Sequence, residues 1–196
     1  ILLIYLYYTA SHGGLGMDKA LAGGIVGAYG GSVYLSTILG AWLADRIWGA
    51  ERTLFIAGIV VMTGHILLAI VPGLMGLLLG LVYIALGSGG VPSSAGSMVG
   101  SLYERDDLRE LRDAGFSIFY ISINIGGFLG PLLTGILQDR MGFHYGFGAA
   151  AVGMAFGLLW YSRGRKNLPH TPVPNPLRPE KVQTAMAVGV LLVLVL

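Results

Sequence analysis

Long apolar runs alternate with short polar breaks along this chain, and the lengths of the runs set the expected architecture. Apolar stretches cover residues 1–10, 20–44, 53–71, 74–103, 114–137, 142–161 and 182–196. About twenty apolar residues wound as a helix cross a bilayer, so the five central runs predict complete membrane helices. The first and last runs are each shorter than a span, and both ends are expected to lie inside a longer chain. Residues 1–10 also lack the charged leader of a cleavable signal peptide. Within residues 74–103 the sequence GSGGVPSSAG, with Gly89, Gly90 and Pro92, predicts a weakened or kinked helix. A membrane tolerates this only where protein or water re-satisfies the backbone. The polar breaks at 45–52 and 104–113 are charged, the break VPGLMG carries no charge, and 138–143 reads as a short turn. The stretch SRGRKNLPHTPVPNPLRPEK is basic and too rich in proline to be helical throughout. The expected organisation is a membrane bundle over 1–162 with an incomplete first helix, a linker over 163–181, and the start of a seventh helix over 182–196.

Composition agrees with a membrane protein. Only 11% of the residues are charged and 55% are hydrophobic, with a mean hydropathy of +0.74, whereas a soluble domain carries about a quarter charged residues. The net charge of +2 is too small to suggest nucleic acid. The absence of cysteine excludes disulfides and thiolate chemistry. Basic residues are distributed unevenly. The breaks after the second, fourth and sixth runs hold Arg46, Arg52, Arg105, Arg109, Arg112, Arg163, Arg165, Lys166, Arg178 and Lys181, while the others hold only Lys19 and Arg140. The positive-inside rule then puts the even breaks, and the N-terminus, on the cytoplasmic side.

Residues 116–131, FSIFYISINIGGFLGP, form the stretch around which the rest is organised. Asn124 is a lone carboxamide in an apolar run, which is costly unless it faces a partner or a water-filled cavity. Tyr120 lies one helical turn away on the same face. Glycines crowd the second run at Gly23, Gly24, Gly27, Gly30 and Gly31; they are expected to let neighbouring helices approach closely, with bending during a gating motion as the other reading. His65, the only ionisable group within a run apart from tyrosines, reads as a packed or hydrogen-bonded residue or else as a proton relay. The segments GAWLADRIWG and GILQDRMG echo one another, as two inverted three-helix repeats would.

GAWLADRIWGAERT resembles the loop motif between the second and third helices of the major facilitator superfamily, and more closely the first signature of the proton-dependent oligopeptide transporter family. FSIFYISINIGGF resembles that family's second signature along its whole length, in the same order and topology. The resemblance implies an all-α major facilitator bundle of six helices, the N-terminal half of a transporter of the cell membrane. It implies proton-coupled symport of di- and tripeptides by alternating access. The implied partners are peptide, protons, the lipid bilayer and a C-terminal half, with no cofactor, metal or nucleic acid. By resemblance Tyr34, Tyr120 and Asn124 face bound peptide, since amides and hydroxyls pair with a peptide backbone without reading side chains. The alternatives are tyrosines packed against other helices and an asparagine that joins two helices. The loop motif supplies Gly40, Asp45, Arg46, Gly49 and Arg52 for gating. There Asp45 would meet Arg46, Arg52 or a neighbouring helix dipole and release it in the other conformation; the plainer reading is a solvated charge. Gly40 and Gly49 read as packing and turn residues.

Three features depart from the family pattern. The paired acids and arginine of its first helix would fall before the first residue given, its fourth-helix lysine is replaced at Val91 or Pro92, and the second-helix histidine that some eukaryotic relatives carry is missing. A proton-coupled carrier needs a group that titrates during the cycle, so coupling is expected to reside outside these residues, on the first helix or in the C-terminal half, or else to work differently in this member. The competing readings are a major facilitator carrier of a drug, sugar or nitrate-like anion, suggested by GGFLGPLLTG, and a transport-incompetent half-bundle. A membrane enzyme would need an intramembrane catalytic cluster, and the sequence offers none. The basic linker reads as a cytoplasmic tether or as a ligand for anionic lipid headgroups. Residues 182–196 read as a core helix or as one inserted between the halves.

Overall fold

The computed structural model describes residues 1–169, 172–178, 180–182 and 184. Most of the expected seventh run, 182–196, therefore lies outside the described residues. The remainder is an antiparallel helical bundle: α1 (Leu2–Tyr7), α2 (Lys19–Leu43), α3 (Gly49–Ile70), α4 (Gly73–Ser88), α5 (Gly90–Leu102), α6 (Arg112–Met141) and α7 (Phe143–Gly164). There is no strand among the described residues. Among the described residues, four helical stretches are long and apolar enough to cross a membrane, and one of them, Lys19–Ile70, is 52 residues long. At about 1.5 Å per residue that is more than twice the thickness of a hydrocarbon core. It folds back on itself at Gly49, so it supplies two spans.

Several boundaries differ from the sequence pattern for one reason: helices continue through charged residues until a glycine turns the chain. The charged break at 45–52 is helical rather than a loop. Residues Ala44–Trp48 form a π-helical turn, and Gly49 reverses the chain with φ 78° and ψ 161°, so that α3 begins there. The expected turn at 138–143 shrinks to Gly142, at φ 103°. The interruption expected in the fourth run falls at Gly89 between α4 and α5, a single residue that keeps helical angles (φ −69°, ψ −33°). Asp18 caps α2 by accepting from the N–H groups of Ala20 (2.8 Å) and Leu21 (3.3 Å).

α3 crosses α4 and α5, with α2 and α7 on either side, and the buried hydrophobic cluster is drawn from α1, α2, α3, α4 and α7. Small residues make these crossings possible. A methyl group added at Gly64 would stand 2.7 Å from the Gly80 carbonyl oxygen, and one at Gly87 would stand 2.7 Å from that of Ala57. A methyl at Gly40 or Gly89 would overlap the backbone of the facing helix, because α2 and the α4–α5 junction touch main chain to main chain. The glycines that pack are thus mainly in α3, α4 and α5. The five singled out in α2 (Gly23, Gly24, Gly27, Gly30 and Gly31) have nothing within 4 Å of an added methyl, so the expected close approach does not occur there among the described residues. At the end of the bundle opposite Gly49, Tyr5 packs against Phe143 and Phe147 with ring centroids 5.2 and 5.6 Å apart. The His144 Nδ1–H donates to the Leu68 carbonyl (2.9 Å) and joins α7 to α3.

Up-and-down topology brings the Arg-bearing breaks to one end. The α2–α3 turn, the end of α5, the start of α6 and the end of α7 all lie there. This is the arginine-rich end of the bundle.

Candidate functional site

α6 is a 30-residue helix that continues through Pro131. Every residue from Tyr120 to Leu133 is exposed within this chain. It touches the bundle near its two ends: Gly115 lies against the Tyr103 ring, and Thr134 and Gln138 face Gly146 of α7. The stretch carrying the candidate peptide-facing residues therefore stands away from the other helices.

Asn124 is exposed, and its Nδ2 donates to the Tyr120 carbonyl on its own helix (2.8 Å). That bond uses one donor of the amide. It makes no bond to another helix among the described residues, so the reading of Asn124 as a join between two helices finds no partner here. Tyr120 is 58% exposed and leans on Phe119 and Phe116, with centroids 5.6 and 6.4 Å away. The two side chains share a face as the spacing implies, yet the bond runs from amide to backbone rather than from amide to hydroxyl. Tyr34 on α2 is 79% exposed. α2 and α6 form no packed interface with each other, so Tyr34 and the Tyr120–Asn124 pair stand on separate helices with open faces. Val91 and Pro92, where a lysine is replaced, lie in the first turn of α5 and are half-buried and exposed respectively.

One turn of α6 below Tyr120, toward the arginine-rich end, a cavity of about 700 Å³ separates α5 from α6. Ser97, Tyr103, Glu104, Arg109, Arg112 and Phe116 line it together with two glycines. The Arg112 guanidinium sits over the Phe116 ring at 5.7 Å, which favours a cation electrostatically. Arg109 pairs with Asp106 at 3.4 Å. The arrangement offers hydroxyls, guanidiniums and an aromatic floor, a set suited to an anionic or zwitterionic solute.

The residues expected to gate are brought together around the α2–α3 turn. Gly40 is buried at the crossing with Gly89, and Gly49 occupies the left-handed turn that any side chain would strain. Asp45 is exposed, Arg46 half-buried and Arg52 exposed. Among the described residues Asp45 takes part in no ion pair. The cross-helix ion pair at this end is one that the sequence reading overlooked: Arg165 bonds Glu51 at 2.8 and 2.9 Å. Its guanidinium also lies 5.4 Å above the Phe55 ring, Phe55 stacks with Tyr161, and the Tyr161 hydroxyl reaches the Glu51 carbonyl at 3.4 Å. Glu51 and Arg165 are far apart in sequence, so no spacing rule pairs them. The one available signal is that Glu51 falls in the first turn of a helix whose next turn carries Phe55.

Three buried polar atoms have no partner among the described residues: Thr53 Oγ1, His65 Nδ1 and Ser94 Oγ. His65, which reads as a packed or hydrogen-bonded residue or else as a proton relay, has its Nδ1 buried without a bond among the described residues. No cluster of His, Asp and Glu able to hold a metal occurs among the described residues.

Comparison with known proteins matches this arrangement to one lineage. Residues 51–194 match the model of the POT family. The chain is 46% identical to the uncharacterised transporter YclF of Bacillus subtilis over 98% of its own length and 39% of that protein. It is 43% identical to a di-/tripeptide transporter of Lactobacillus helveticus, over 91% of this chain and 37% of that protein. A crystal structure of a peptide transporter POT in complex with sulfate superposes on all of this chain with a TM-score of 0.92 at 46% identity, using 40% of that structure. This chain spans about two fifths of the length of these relatives. The all-helical bundle, the α2–α3 motif and the α6 signature thus have one explanation, which is that the chain belongs to the POT family.

Proposed function

We propose that these residues are the N-terminal six-helix portion of a proton-coupled symporter for di- and tripeptides in the cell membrane. The observation that carries this reading is the open face of α6. An apolar helix that holds Tyr120 and Asn124 clear of every neighbouring helix suits a wall facing a solute, because a carboxamide directed at lipid is costly. The relatives named as di-/tripeptide transporters supply the class of solute. Tyr34, Tyr120 and Asn124 then contact the peptide backbone, and the rest of the transporter supplies the opposite wall.

Transport proceeds by rocking of this bundle against that second half around a midplane site. The arginine-rich end faces the cytoplasm, consistent with the positive-inside rule. Gly40, Asp45, Arg46, Gly49 and Arg52 form the hinge and latch of that motion. Residues 1–162 are the bundle and 163–181 the cytoplasmic linker. Protons are the driving ion; no Lys, Arg, Asp or Glu lies inside the apolar runs, whereas His65 does, so the titrating group is either a histidine of the runs, such as His65, or a residue of the remainder of the transporter. The protein acts as a carrier, not as an enzyme.

Dipeptide uptake into liposomes holding the full-length transporter, under an inward proton gradient, tests the reading. Accumulation that collapses when a proton ionophore is added is the expected result. Entry indifferent to the gradient would make the protein a facilitator, and no entry would assign another cargo to the same fold.

A further inference from the structure

The final turn of α2 ends abruptly at Gly49, and the last carbonyls of any helix have no N–H partner within it. Two of these carbonyls are taken up from far along the chain. The N–H of Asn175 donates to the Asp45 carbonyl (3.0 Å), and the N–H of Leu177 donates to the Arg46 carbonyl (3.0 Å). The donors come from the sequence Pro172-Val173-Pro174-Asn175-Pro176-Leu177, in which prolines alternate with residues that keep an N–H. A residue before proline is held extended, and alternate residues of an extended segment point the same way. Asn175 and Leu177 thus present their N–H groups on one side. A slip by one residue would put Pro174 or Pro176 opposite a carbonyl and leave it without a donor, so the sequence fixes the register. Val173 and Leu177 are half-buried while the prolines and Asn175 are exposed, as expected of a segment laid against a surface. Elsewhere in the bundle the chain closes a helix end in the same way: the N–H groups of Leu15 and Met17 donate to the carbonyls of Tyr5 and Leu6 at the end of α1. There the donors are nearby in sequence. At α2 they come from the segment that leads out of the bundle, and Arg165, just after α7, is fixed to Glu51 in the next turn of the same motif.

We propose that residues 172–178 are a strap that fastens the α2–α3 gating turn to the chain leaving the bundle. Movement of whatever follows residue 178 is passed directly to Asp45 and Arg46. The strap grips main-chain carbonyls, so it works with any side chain at the donor positions except proline. It leaves the Asp45 carboxylate free for a latch elsewhere. This inference rests on the transporter reading for its consequence, but the fastening itself does not.

Hydrogen–deuterium exchange on the full-length transporter in lipid nanodiscs tests the fastening. Prolines have no amide, so a peptide covering 172–178 reports on few sites. The Asn175 and Leu177 amides are expected to exchange at least about tenfold more slowly than in an unstructured chain, as bonded amides do; exchange at the unstructured rate overturns the strap. Coupling is tested by dipeptide uptake in the variant Asn175→Pro/Leu177→Pro. The maximal rate should fall about tenfold, the scale of two lost backbone bonds, with KM unchanged, while Asn175→Ala retains the rate. A proline variant that transports at the native rate overturns the coupling. If the native protein carries no dipeptide, the proposed cargo fails while the exchange result still decides whether the strap exists.

Discussion

The α4–α5 segment and α6 are both apolar enough to cross a membrane, yet half of the most apolar window of the first is buried and none of the second. Their glycines differ in the same way. Gly80, Gly87, Gly89 and Gly90 sit where an added methyl would strike a facing helix, whereas Gly126, Gly127, Gly130 and Gly135 have nothing within 4 Å. Hydropathy reports that a helix avoids water, and says little about whether it meets protein, lipid or a cavity. The glycine environment separates these cases, because a Cβ has no room where another helix packs closely against the glycine and has open space where none does. α4–α5 is a structural post crossing α2 and α3, and α6 is a wall held at its ends.

The largest expected effect comes from breaking the post. Gly89→Leu would drive a side chain into the Ser36 backbone of α2. Overpacking typically costs about 1–3 kcal/mol and occasionally more, and here the obstacle is main chain that cannot rotate away. The full-length variant should be lost from the membrane fraction or elute as aggregate in detergent, and native yield would show that the crossing can open. Next is the wall. Asn124→Ala removes an amide bonded only to its own helix, so no buried partner is stranded. Thermal stability should stay within about 2 °C of the native value, the shift for roughly half a kcal/mol. Peptide uptake should fall about tenfold, the loss expected for one or two solute hydrogen bonds. Unchanged uptake would remove Asn124 from the site.

A smaller effect is expected at the arginine-rich end. Glu51→Gln weakens the pair with Arg165, which is partly exposed (38% and 19% for the Arg and Glu side chains) and so screened by water. The guanidinium keeps its place over Phe55, which limits the loss. The midpoint of thermal unfolding should drop by about 2–4 °C, as for roughly 1 kcal/mol in a domain of this size. A drop that vanishes in high salt would mean that the pair acts as a surface contact.

The sequence made the spans legible because bilayer thickness imposes their length, and it made the break at Gly89 legible because Gly-Gly-Val-Pro is poor in helix formers. Asn124 stood out since a carboxamide is rare in an apolar helix. What it concealed depends on long-range contact. The α2 glycines look like packing residues by spacing, but spacing fixes only a face, and the face that packs is decided by which helix lies opposite. Charge in 45–52 suggested a loop, whereas the helix runs on until Gly49 supplies the positive φ that a reversal needs. Glu51 and Arg165, and Asp45 and Asn175, meet only because the end of α7 returns to the α2–α3 turn. No local pattern encodes that return.

The smallest expected effect sharpens the comparison most. Gly126→Ala adds a methyl where nothing lies within 4 Å, and alanine favours an exposed helix over glycine by about 0.5–1 kcal/mol. If α6 is a wall standing clear of its neighbours, the substitution should leave the thermal midpoint of the full-length transporter unchanged or slightly raised. Gly87→Ala, with the same added atom 2.7 Å from the Ala57 carbonyl oxygen, should lower it. The two variants differ by one methyl at each site, so propensity cancels and only the surroundings remain. A fall at Gly126 equal to that at Gly87 would mean that another part of the transporter presses on α6 as closely as α3 presses on α4. The open face would then be an interface between the halves rather than a surface turned to the solute, and Tyr120 and Asn124 would have to act from its margin.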